Sequence, residues 1–347
     1  MDFERKDSVY YKLSNITKPK HKYTKMALFS FENTLVKSSS SKYEIMFNTV
    51  TSKLKNLAKN NYVIGLLVSL DSEYILSTVS KFINKLNIPI VSLVSIDDDI
   101  NRKPNTGILR FLDSIGFINI SYDKLFYVGN EGGRKNDISS NDRKFAFNLN
   151  IKYYTPEEYF INYPIDNNYI LDDLGISQFK DVFFKIKPKY KFSLTHNEII
   201  ITIGFPTTGK STFINKFISP LQKYKILDHY SNNLCEKYVK NGYSVVIDDT
   251  NITVKERKKY ISIAHKYGFI IRGFYFNIGI DLAKHLNNFT MKKSNNFFKK
   301  NPDSIYKLME QKFVFPMIEE GFSDIVNINF CPEFYNNDEE HLFYELS

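Results

Sequence analysis

The amino-acid sequence predicts an α/β protein with two tandem domains, each built around a largely parallel sheet. Apolar strands that end in small or polar residues alternate with helical patterns, and this alternation occurs twice along the chain. A turn-rich and basic stretch separates the two series. The chain has 347 residues, which is enough for two domains that each have their own core.

The first series of elements begins with the apolar run KMALFSFENTL at 25–35, which predicts a strand leading into a polar loop. Further strands are predicted at 62–70 and 124–130, and helices at 44–59 and 72–86. In sheets of this kind, ligands bind at the carboxyl ends of the strands. The polar residues that end each strand are therefore the first candidates for a functional site.

The strand and helix pattern weakens from about 161 to 196, where turn residues and basic residues replace it. We therefore predict an N-terminal extension at 1–25, a first domain at 26–165, a linker at 166–196 and a second domain at 197–347. Within the second domain, strands are predicted at 198–205, 223–227, 243–248 and 269–276.

Composition and charge limit the classes of protein that fit. The net charge of +9 and the isoelectric point of about 9.1 permit a polyanionic partner, but a lysine-rich solvated surface explains them equally well. The two cysteines, Cys235 and Cys331, have no metal-ligand spacing, so a disulfide framework or a zinc site is not expected. With no apolar signal segment or membrane-spanning run, we expect an intracellular protein of cytoplasm or nucleus, neither secreted nor membrane-bound.

The motif GFPTTGKST fits the phosphate-binding pattern G-x-x-x-x-G-K-[ST] and lies between a predicted strand and a predicted helix. Glycine lets successive backbone N–H groups point at phosphate oxygens, lysine supplies a positive charge, and the first hydroxyl can ligate Mg²⁺. The alternative is a structural glycine turn with an incidental lysine. It does not explain why the motif lies between a predicted strand and a predicted helix. The predicted ATP-binding residues are Gly204, Phe205, Pro206, Thr207, Thr208, Gly209, Lys210, Ser211 and Thr212, with Ser211 as the Mg²⁺ ligand.

The stretch VVIDDTN at 245–251 ends the next long strand with two carboxylates, Asp248 and Asp249, followed by Asn251. Acids at such a strand end assist Mg²⁺ or grip the substrate in enzymes that transfer phosphoryl groups. An ordinary Asp-rich turn is the alternative reading of the same residues.

Several segments together carry a resemblance to a known family: FSFENTLV (29–36), NRKPNTGILRFL (101–112), LFYVGNEGGRKNDISSNDRKFAFNLNIKYYTPEEYF (125–160) and EEGFSDIVNINF (319–330). From about residue 26 to 335, the chain resembles the polynucleotide kinase 3′-phosphatase family. This resemblance implies a haloacid-dehalogenase-like Rossmannoid domain followed by a P-loop kinase domain with a parallel sheet. It also implies action on nucleic-acid ends, and it includes no counterpart of the N-terminal forkhead-associated domain of animal members.

The phosphatase half departs from the family pattern where the chemistry lies. By this resemblance, Ser30 replaces the nucleophilic Asp, Glu32 the general acid/base Asp, and Asn130 a metal-binding Asp. Ser69 and Lys103 match the hydroxyl and the ammonium that grip the phosphate. A serine hydroxyl lacks the charge of a carboxylate, and Mg²⁺ needs anionic oxygen ligands. We therefore expect no 3′-phosphatase activity, while Ser69 and Lys103 could still hold a phosphate or a nucleic-acid end.

In the kinase half, the resemblance implies a general base just after the strand that follows the P-loop helix. Asp228 and His229 both fit this position, because strand-end placement favours Asp228 and counting from Lys210 favours His229. Since Asp is the commoner choice for phosphoryl transfer to a hydroxyl, we assign the base to Asp228 and keep His229 as the alternative.

The predicted lid AKHLNNFT (283–290) differs from the family pattern A-R-H-N-N-R-F-R. The family arginines that clamp the transferred phosphate fall on Lys284, Asn288 and Thr290, and arginine is hard to replace where bidentate contact matters. Lys292 and Lys293, one turn further on, could supply point charges instead.

Three interpretations of function remain open from the sequence. The first is an ATP-dependent polynucleotide 5′-hydroxyl kinase of the nucleic-acid end-repair type, with ATP and Mg²⁺ as cofactors and DNA or RNA 5′ ends as partners. The second is an inactive protein that binds nucleotide and nucleic acid or acts as a scaffold. The third is a P-loop kinase for a small molecule. The intact P-loop favours the first and third, and the altered lid favours the second.

Overall fold

The computed structural model describes residues 3–16, 24–37, 44–69, 74–97, 99–117, 119–171, 197–228, 232–294 and 298–346. The chain forms two compact units, Met1–Asp173 with Glu345–Ser347, and Leu174–Tyr344. The predicted fold class, two tandem α/β domains, is confirmed. Most of the predicted linker, 172–196, lies outside the described residues, so the exact domain limits stay a prediction.

The first unit is built on a mixed sheet whose central strands are parallel. Its elements are β1 (Glu4–Lys6), β2 (Val9–Ser14), β3 (Lys25–Ser30), β4 (Val36–Lys37), β5 (Glu44–Ile45), α1 (Val50–Lys59), β6 (Tyr62–Ser69), α2 (Tyr74–Leu86), β7 (Ile90–Ser95), α3 (Gly107–Ser114), β8 (Leu125–Val128), α4 (Asn141–Asn148), β9 (Lys152–Tyr154) and α5 (Pro156–Ile161). Seven strands pair in the order β1-β2-β7-β6-β3-β8-β9. Strands β7, β6, β3, β8 and β9 run parallel, so their carboxyl ends meet at one edge.

The predicted N-terminal extension contributes two strands to this sheet. Strand β2 pairs antiparallel with β7, and β1 pairs with β2. Ser8, in the turn between β1 and β2, donates a hydrogen bond to the Asp99 carboxylate and accepts one from Asn101 Nδ2 at 3.1 Å. The hairpin thus supports the loop that carries Lys103. The predicted helix 44–59 begins only at Val50, because Glu44 and Ile45 pair with β4.

Apolar side chains cover both faces of the first sheet. Phe29, Leu66 and Val94 face α1 and α2, while Leu28, Leu67 and Leu93 face α3 and α4. A parallel strand that is buried on both faces reads as a continuous apolar run, which is why β6 could be predicted from its sequence. The ends of β3 and β8 are thereby held in fixed positions beside Lys103.

The second unit contains a five-stranded sheet in which every strand is parallel to its neighbours. Its elements are β10 (Glu198–Ile203), α6 (Lys210–Phe213, continued by helical turns to Leu221), β11 (Tyr224–Asp228), α7 (Asn232–Lys240), β12 (Ser244–Asp248), α8 (Val254–Tyr267), β13 (Ile270–Phe276), α9 (Ile280–Lys293), α10 (Asp303–Lys312), β14 (Asp324–Ile328) and α11 (Asn337–Tyr344). The strand order is β11-β12-β10-β13-β14. The four predicted strands are confirmed, and β14 is an addition that the strand pattern had not indicated.

Strand β10 lies at the centre of this sheet and is completely buried along its length. Ile199, Ile201 and Ile203 pack against α7 and α8, while Ile200 packs against the α6 segment. Because all five strands are parallel, the P-loop after β10 and the acids at the ends of β11 and β12 lie along the same edge.

Candidate functional site

The P-loop forms a tight turn between β10 and α6. Gly204 and Gly209 have φ angles of 152° and 86°, in the region that favours glycine. A Cβ added to Gly204 would lie 3.1 Å from Cβ of Phe276, so a larger residue would fit tightly against β13. Helix α6 begins at Lys210, which gives the loop the strand–loop–helix context that its motif requires.

Lys210 is a nearly buried cation inside this loop. Its side chain is 8% exposed, and its Nζ donates hydrogen bonds to the Gly204 carbonyl at 3.2 Å and the Phe205 carbonyl at 2.5 Å. Burial lowers the pKa of Lys210 to about 8, and the charges of Asp248 and Asp249 oppose that shift. A buried ammonium whose hydrogen bonds go to neutral carbonyl oxygens is suited to an anionic ligand such as a polyphosphate.

The acids predicted at the strand ends lie beside the P-loop. Asp248 ends β12 and is directly opposite Asp228, the last residue of β11. Burial raises the pKa of Asp248, whereas a hydrogen bond from Ser211 and the charge of Lys210 lower it. The structure therefore brings Lys210, Ser211, Asp228 and Asp248 together, while His229 lies outside the described residues.

Asn251 has an internal partner. Its Nδ2 donates to the Thr202 carbonyl at 2.9 Å, and its side chain is 3% exposed. The Thr202 hydroxyl in turn donates to the Asp249 carbonyl at 2.9 Å, and Gly204 N donates to the Thr250 carbonyl at the same distance. Asn251 thus fastens the acidic loop to β10, which is a positioning contact that the sequence analysis did not foresee.

A buried ion pair braces the same loop from behind. Arg257 is completely buried, and its guanidinium donates to both carboxylate oxygens of Glu320, at 2.8 and 2.6 Å. Its Nη1 donates to the carbonyls of Asn251 at 3.1 Å and Val314 at 3.0 Å. The planar guanidinium can satisfy all of these acceptors at once, so Arg257 holds the loop in place.

Helix α9 carries the predicted lid lysines, and two of them are held within the unit. Lys293 forms an ion pair with Glu339, and its Nζ lies 4.9 Å from the ring centre of Tyr335. Lys292 is 3% exposed, while Lys284 is half-buried. At another family arginine position, Thr290 donates its hydroxyl to the Leu286 carbonyl at 2.7 Å.

The P-loop is joined directly to helices α9 and α10. The Thr207 hydroxyl lies 2.9 Å from the Ala283 carbonyl on α9, to which it donates, and 2.9 Å from the Tyr306 hydroxyl on α10. Thr207 has φ of 60°, which is an uncommon backbone conformation for a β-branched residue. Tyr306 is completely buried, so this polar contact lies inside the unit. The motif predicted Thr207 only as a phosphate-binding position.

In the first unit, four polar side chains meet at the carboxyl edge of the sheet. Lys103 Nζ donates to Ser30 Oγ at 3.2 Å, to the Tyr127 hydroxyl at 2.9 Å and to Asp142 Oδ1 at 2.5 Å. The Tyr127 hydroxyl also donates to Asp142 Oδ1 at 2.6 Å. An ammonium has three N–H donors, so these three partners use all of them. Burial, followed by the Asp142 charge, raises the pKa of Tyr127 well above its usual value.

The acids that remain near this site already have partners. Asp142 is completely buried and accepts from Glu131 N at 3.0 Å, in addition to Lys103 and Tyr127. Asp137 accepts from Gly132 N at 2.9 Å and from Arg134 Nε at 3.0 Å. Both carboxylates therefore help to hold the loop between β8 and α4 in place.

The remaining predicted positions of the phosphatase half lie around the same edge. Asn130 Oδ1 accepts from the Thr34 hydroxyl at 3.3 Å. Glu32 lies in the loop after β3 and bridges to Val36, and Ser69 is the last residue of β6. The structure thus brings Ser30 and Lys103 into contact. Three further residues follow or end adjacent strands and stay candidate site residues of this domain: Glu32, Ser69 and Asn130.

The two sites differ in the ligands that they offer to a metal ion. Within the described residues, no group of three or more His, Cys, Asp or Glu side chains could hold a metal ion. Mg²⁺ in kinase sites uses one or two protein oxygens plus substrate phosphates, so Ser211 and Asp248 fit that pattern without a three-acid cluster. In the first unit, Ser30 and Asn130 offer only neutral oxygens at the positions where the family resemblance places carboxylates.

The fold and the two sites define a haloacid-dehalogenase-like domain followed by a P-loop kinase domain. Residues 25–160 match the family described as polynucleotide kinase 3 phosphatase, and residues 219–296 match an AAA domain family. Residues 25–160 therefore form a domain of the polynucleotide kinase 3 phosphatase family. The resemblance inferred from the sequence motifs is thereby confirmed.

Two relatives match most of the chain. The bifunctional polynucleotide phosphatase/kinase of Schizosaccharomyces pombe is 28% identical over 337 residues, covering 89% of this chain and 80% of its own. A bifunctional polynucleotide phosphatase/kinase by name, from Acanthamoeba polyphaga mimivirus, is 28% identical over 388 residues. The match covers 95% of this chain and 90% of the viral protein. A solved fungal RNA kinase covers 44% of this chain and 82% of its own at 13% identity, with a TM-score of 0.31. Within the described residues, no helix is long and apolar enough to cross a membrane.

Proposed function

We propose that this protein is an ATP-dependent kinase of polynucleotide 5′-hydroxyl ends, acting inside the cell in nucleic-acid end repair. The proposal rests on one observation: Asp228 and Asp248 lie beside Lys210 at the same edge of the sheet. The names of the relatives support a polynucleotide as the acceptor.

In this proposal the P-loop binds the phosphates of ATP, which supplies the transferred phosphoryl group. Lys210 neutralises phosphate charge in a site where burial strengthens electrostatic attraction. The Ser211 hydroxyl and the Asp248 carboxylate lie within hydrogen-bonding reach of each other and would hold Mg²⁺. Asp228 is exposed, so an acceptor hydroxyl can reach it from solvent and give up its proton to this carboxylate.

We further propose that the first domain has no 3′-phosphatase activity. Ser30 lacks the charge of a carboxylate nucleophile, and its hydroxyl oxygen accepts a hydrogen bond from the Lys103 ammonium. The Lys103 ammonium donates to Ser30, Tyr127 and Asp142, so it has no lone pair with which to take a proton from Ser30. The same three hydrogen bonds leave Lys103 without a donor for phosphate, which argues against an anion-binding role.

The most direct test is an end-labelling assay with γ-labelled ATP, Mg²⁺ and a 5′-hydroxyl oligonucleotide. Label should pass to the oligonucleotide with wild-type protein and should not pass with Lys210→Ala. A 5′-phosphorylated oligonucleotide serves as the control acceptor, because its 5′ oxygen is blocked.

A second candidate is a protein that binds ATP and nucleic acid but transfers no phosphate. It is favoured by the lid, where Lys293 is paired with Glu339 and Thr290 bonds to its own helix instead of clamping phosphate. Absence of labelled product under every metal and salt condition, combined with intact ATP binding, would establish this candidate over the kinase.

A further inference from the structure

Thr207, in the middle of the P-loop, has a backbone conformation that its residue type disfavours. Its φ of 60° lies in the left-handed region, where a β-branched residue is a genuine outlier. Such a conformation costs free energy and persists only where surrounding contacts impose it, which occurs most often at ligand-binding and catalytic sites. Gly204 and Gly209, at the two ends of the same loop, adopt positive φ without this cost. The contacts of Thr207 must therefore hold the turn.

The hydrogen bonds of the Thr207 hydroxyl have a defined direction. Its oxygen lies 2.6 Å from the Pro206 carbonyl and 2.9 Å from the Ala283 carbonyl on α9, and a carbonyl can only accept. The hydroxyl has one hydrogen, which these two carbonyls share. The Tyr306 hydroxyl, 2.9 Å away, is therefore the donor to the Thr207 oxygen. The hydrogen of the Thr207 hydroxyl is thus used within the protein rather than for a phosphate.

Tyr306 continues these contacts from the P-loop to helix α9. It is completely buried on α10, and the Asn301 side chain also forms a hydrogen bond with its hydroxyl. The backbone of Asn301 pairs with the side-chain amide of Asn287, which is completely buried on α9. Asn287 Nδ2 donates to the Asn301 carbonyl at 2.8 Å, and Asn287 Oδ1 accepts from Asn301 N at 3.1 Å. A row of hydrogen bonds therefore runs from the P-loop through α10 to α9.

Both connections reach the same turn of α9. The Ala283 carbonyl accepts directly from Thr207, and in an α-helix this carbonyl points toward residue 287, the end of the second connection. Lys284, a lid candidate, is the next residue in the chain after Ala283. The position of the P-loop at Thr207 is thereby joined to the helix that carries the predicted lid lysines.

Packing alone accounts for part of this arrangement. The Tyr306 ring belongs to an apolar cluster with Phe205, Leu286 and Phe343, and a buried tyrosine hydroxyl usually finds a hydrogen-bond partner. This explains why Tyr306 is buried, but not why its partner is a P-loop residue with a disfavoured φ. A purely structural contact would contribute to stability and leave the ATP affinity of the folded protein unchanged.

We propose that Thr207 and Tyr306 are positioning residues, whose hydrogen bond holds the P-loop in its phosphate-binding turn and links the nucleotide site to α9. The proposal rests on the proposed binding of ATP by the P-loop, but not on the identity of the acceptor. A loop that already has its bound conformation loses less conformational freedom when the ligand binds, so the ligand binds more tightly.

The first test measures ATP–Mg²⁺ affinity of the full chain by isothermal calorimetry and, in parallel, the midpoint of urea unfolding. Tyr306→Phe keeps the ring and removes the hydroxyl, so ATP should bind about 2- to 10-fold more weakly, as for the loss of one neutral hydrogen bond. Thr207→Val should weaken binding at least as much, and Thr207→Ser, which keeps the hydroxyl, should weaken it less.

The matched control is Tyr224→Phe, which makes the same chemical change in the same unit. The Tyr224 hydroxyl donates to Glu198, and both residues begin their strands, so this contact lies at the sheet edge opposite the P-loop. Tyr224→Phe should keep the ATP affinity of wild type, whatever its effect on the unfolding midpoint.

The double variant Thr207→Val/Tyr306→Phe should bind ATP no more weakly than Thr207→Val, because both changes remove the same contact. Additive losses, or equal ATP affinity in wild type and Tyr306→Phe, would overturn the proposal. A wild type that binds no ATP would reject both the proposal and the proposed function. The expected losses in a wild type that transfers no phosphate would support the positioning role and reject the kinase.

Amide hydrogen exchange tests the link to α9. Saturating ATP should increase the protection of α9 in wild type and should increase it less in Tyr306→Phe, because the second connection between the loop and the helix is broken. An equal gain of protection in both proteins would overturn the link.

Discussion

The Lys103 ammonium lies 2.5 Å from Oδ1 of Asp142, at the point where the first unit's sheet ends. The Asp142 side chain is fully buried and the Lys103 side chain is 12% exposed. Breaking a buried pair by removing one partner leaves an uncompensated charge, which is far more costly than losing the attraction alone. In this protein, Lys103 therefore belongs to the framework of the domain.

Replacement of Lys103 by Ala should lower the free energy of unfolding of the first unit by about 3–5 kcal/mol. Denaturant unfolding followed by tyrosine fluorescence would measure the loss. Lys124→Ala provides the matched control, because Lys124 pairs with Asp123 at 3.0 Å on the exposed surface and its loss should cost far less. Adding Asp142→Ala to Lys103→Ala should recover part of the stability, and a Lys103→Ala loss as small as the control would contradict this account.

Wild-type protein should release no phosphate from a 3′-phosphoryl oligonucleotide, even with excess Mg²⁺. The reason is the joint absence of a carboxylate at Ser30 and at Asn130, which removes both the nucleophile and metal ligands. Colorimetric phosphate release would measure the activity. Turnover that disappears in Ser30→Ala but survives in Lys210→Ala would place real chemistry in the first domain and disprove the prediction.

ATP–Mg²⁺ should bind through Gly204–Thr212 whether or not phosphate is transferred. Lys210→Ala removes a charged hydrogen-bond donor and should weaken binding by about 1.5–3 kcal/mol. Isothermal calorimetry would measure this loss, with Lys216→Ala as a control, because Lys216 is half-exposed and pairs with Glu333 outside the P-loop. Equal ATP affinity in wild type and Lys210→Ala would show that the loop does not hold the nucleotide.

ATP affinity should also fall as pH rises through about 8, well below the usual pKa of lysine. Above that pH the free protein loses the proton of Lys210, while anionic phosphates favour the charged form, so binding must take up a proton. Calorimetry in two buffers of different ionisation enthalpy would detect that uptake. Lys210→Arg keeps its charge in this window and should show no such fall. A wild-type affinity that is constant up to about pH 10 would mean that the pKa is not lowered.

Local sequence was sufficient for the P-loop and for most strands of both sheets. Each of these features depends on a short pattern, such as the glycines around Lys210 or the continuous apolar run of β6. The N-terminal strand β2 escaped prediction because most of its residues are only half-buried, which gives a weak apolar pattern. Its place in the sheet comes from pairing with β7, far along the chain.

Contacts between distant residues could not be read from the sequence. Arg257 and Glu320 are separated by 63 positions, and neither residue shows from its neighbours that it will be buried against the other. The same holds for Thr207, whose partners Ala283 and Tyr306 belong to two later helices. These are the contacts that position a site rather than perform its chemistry, and they depend on how the elements pack.

In the proposed kinase, Asp228 is the expected proton acceptor. Asp228 ends β11 opposite Asp248 and is exposed, so it can accept a proton from an incoming 5′-hydroxyl and align that oxygen for attack. Loss of a general base costs about 10²–10⁴-fold in rate, so Asp228→Asn should slow single-turnover transfer by that factor.

ATP affinity should be nearly unchanged in Asp228→Asn, because this carboxylate acts on the acceptor and not on the nucleotide. His229→Ala, at the neighbouring position outside the described residues, serves as the comparison and should cost far less. Rapid-quench rates at saturating ATP and oligonucleotide would measure both variants. A large loss in His229→Ala with little in Asp228→Asn would move the base by one residue, since the strand end would then present His229 to the acceptor.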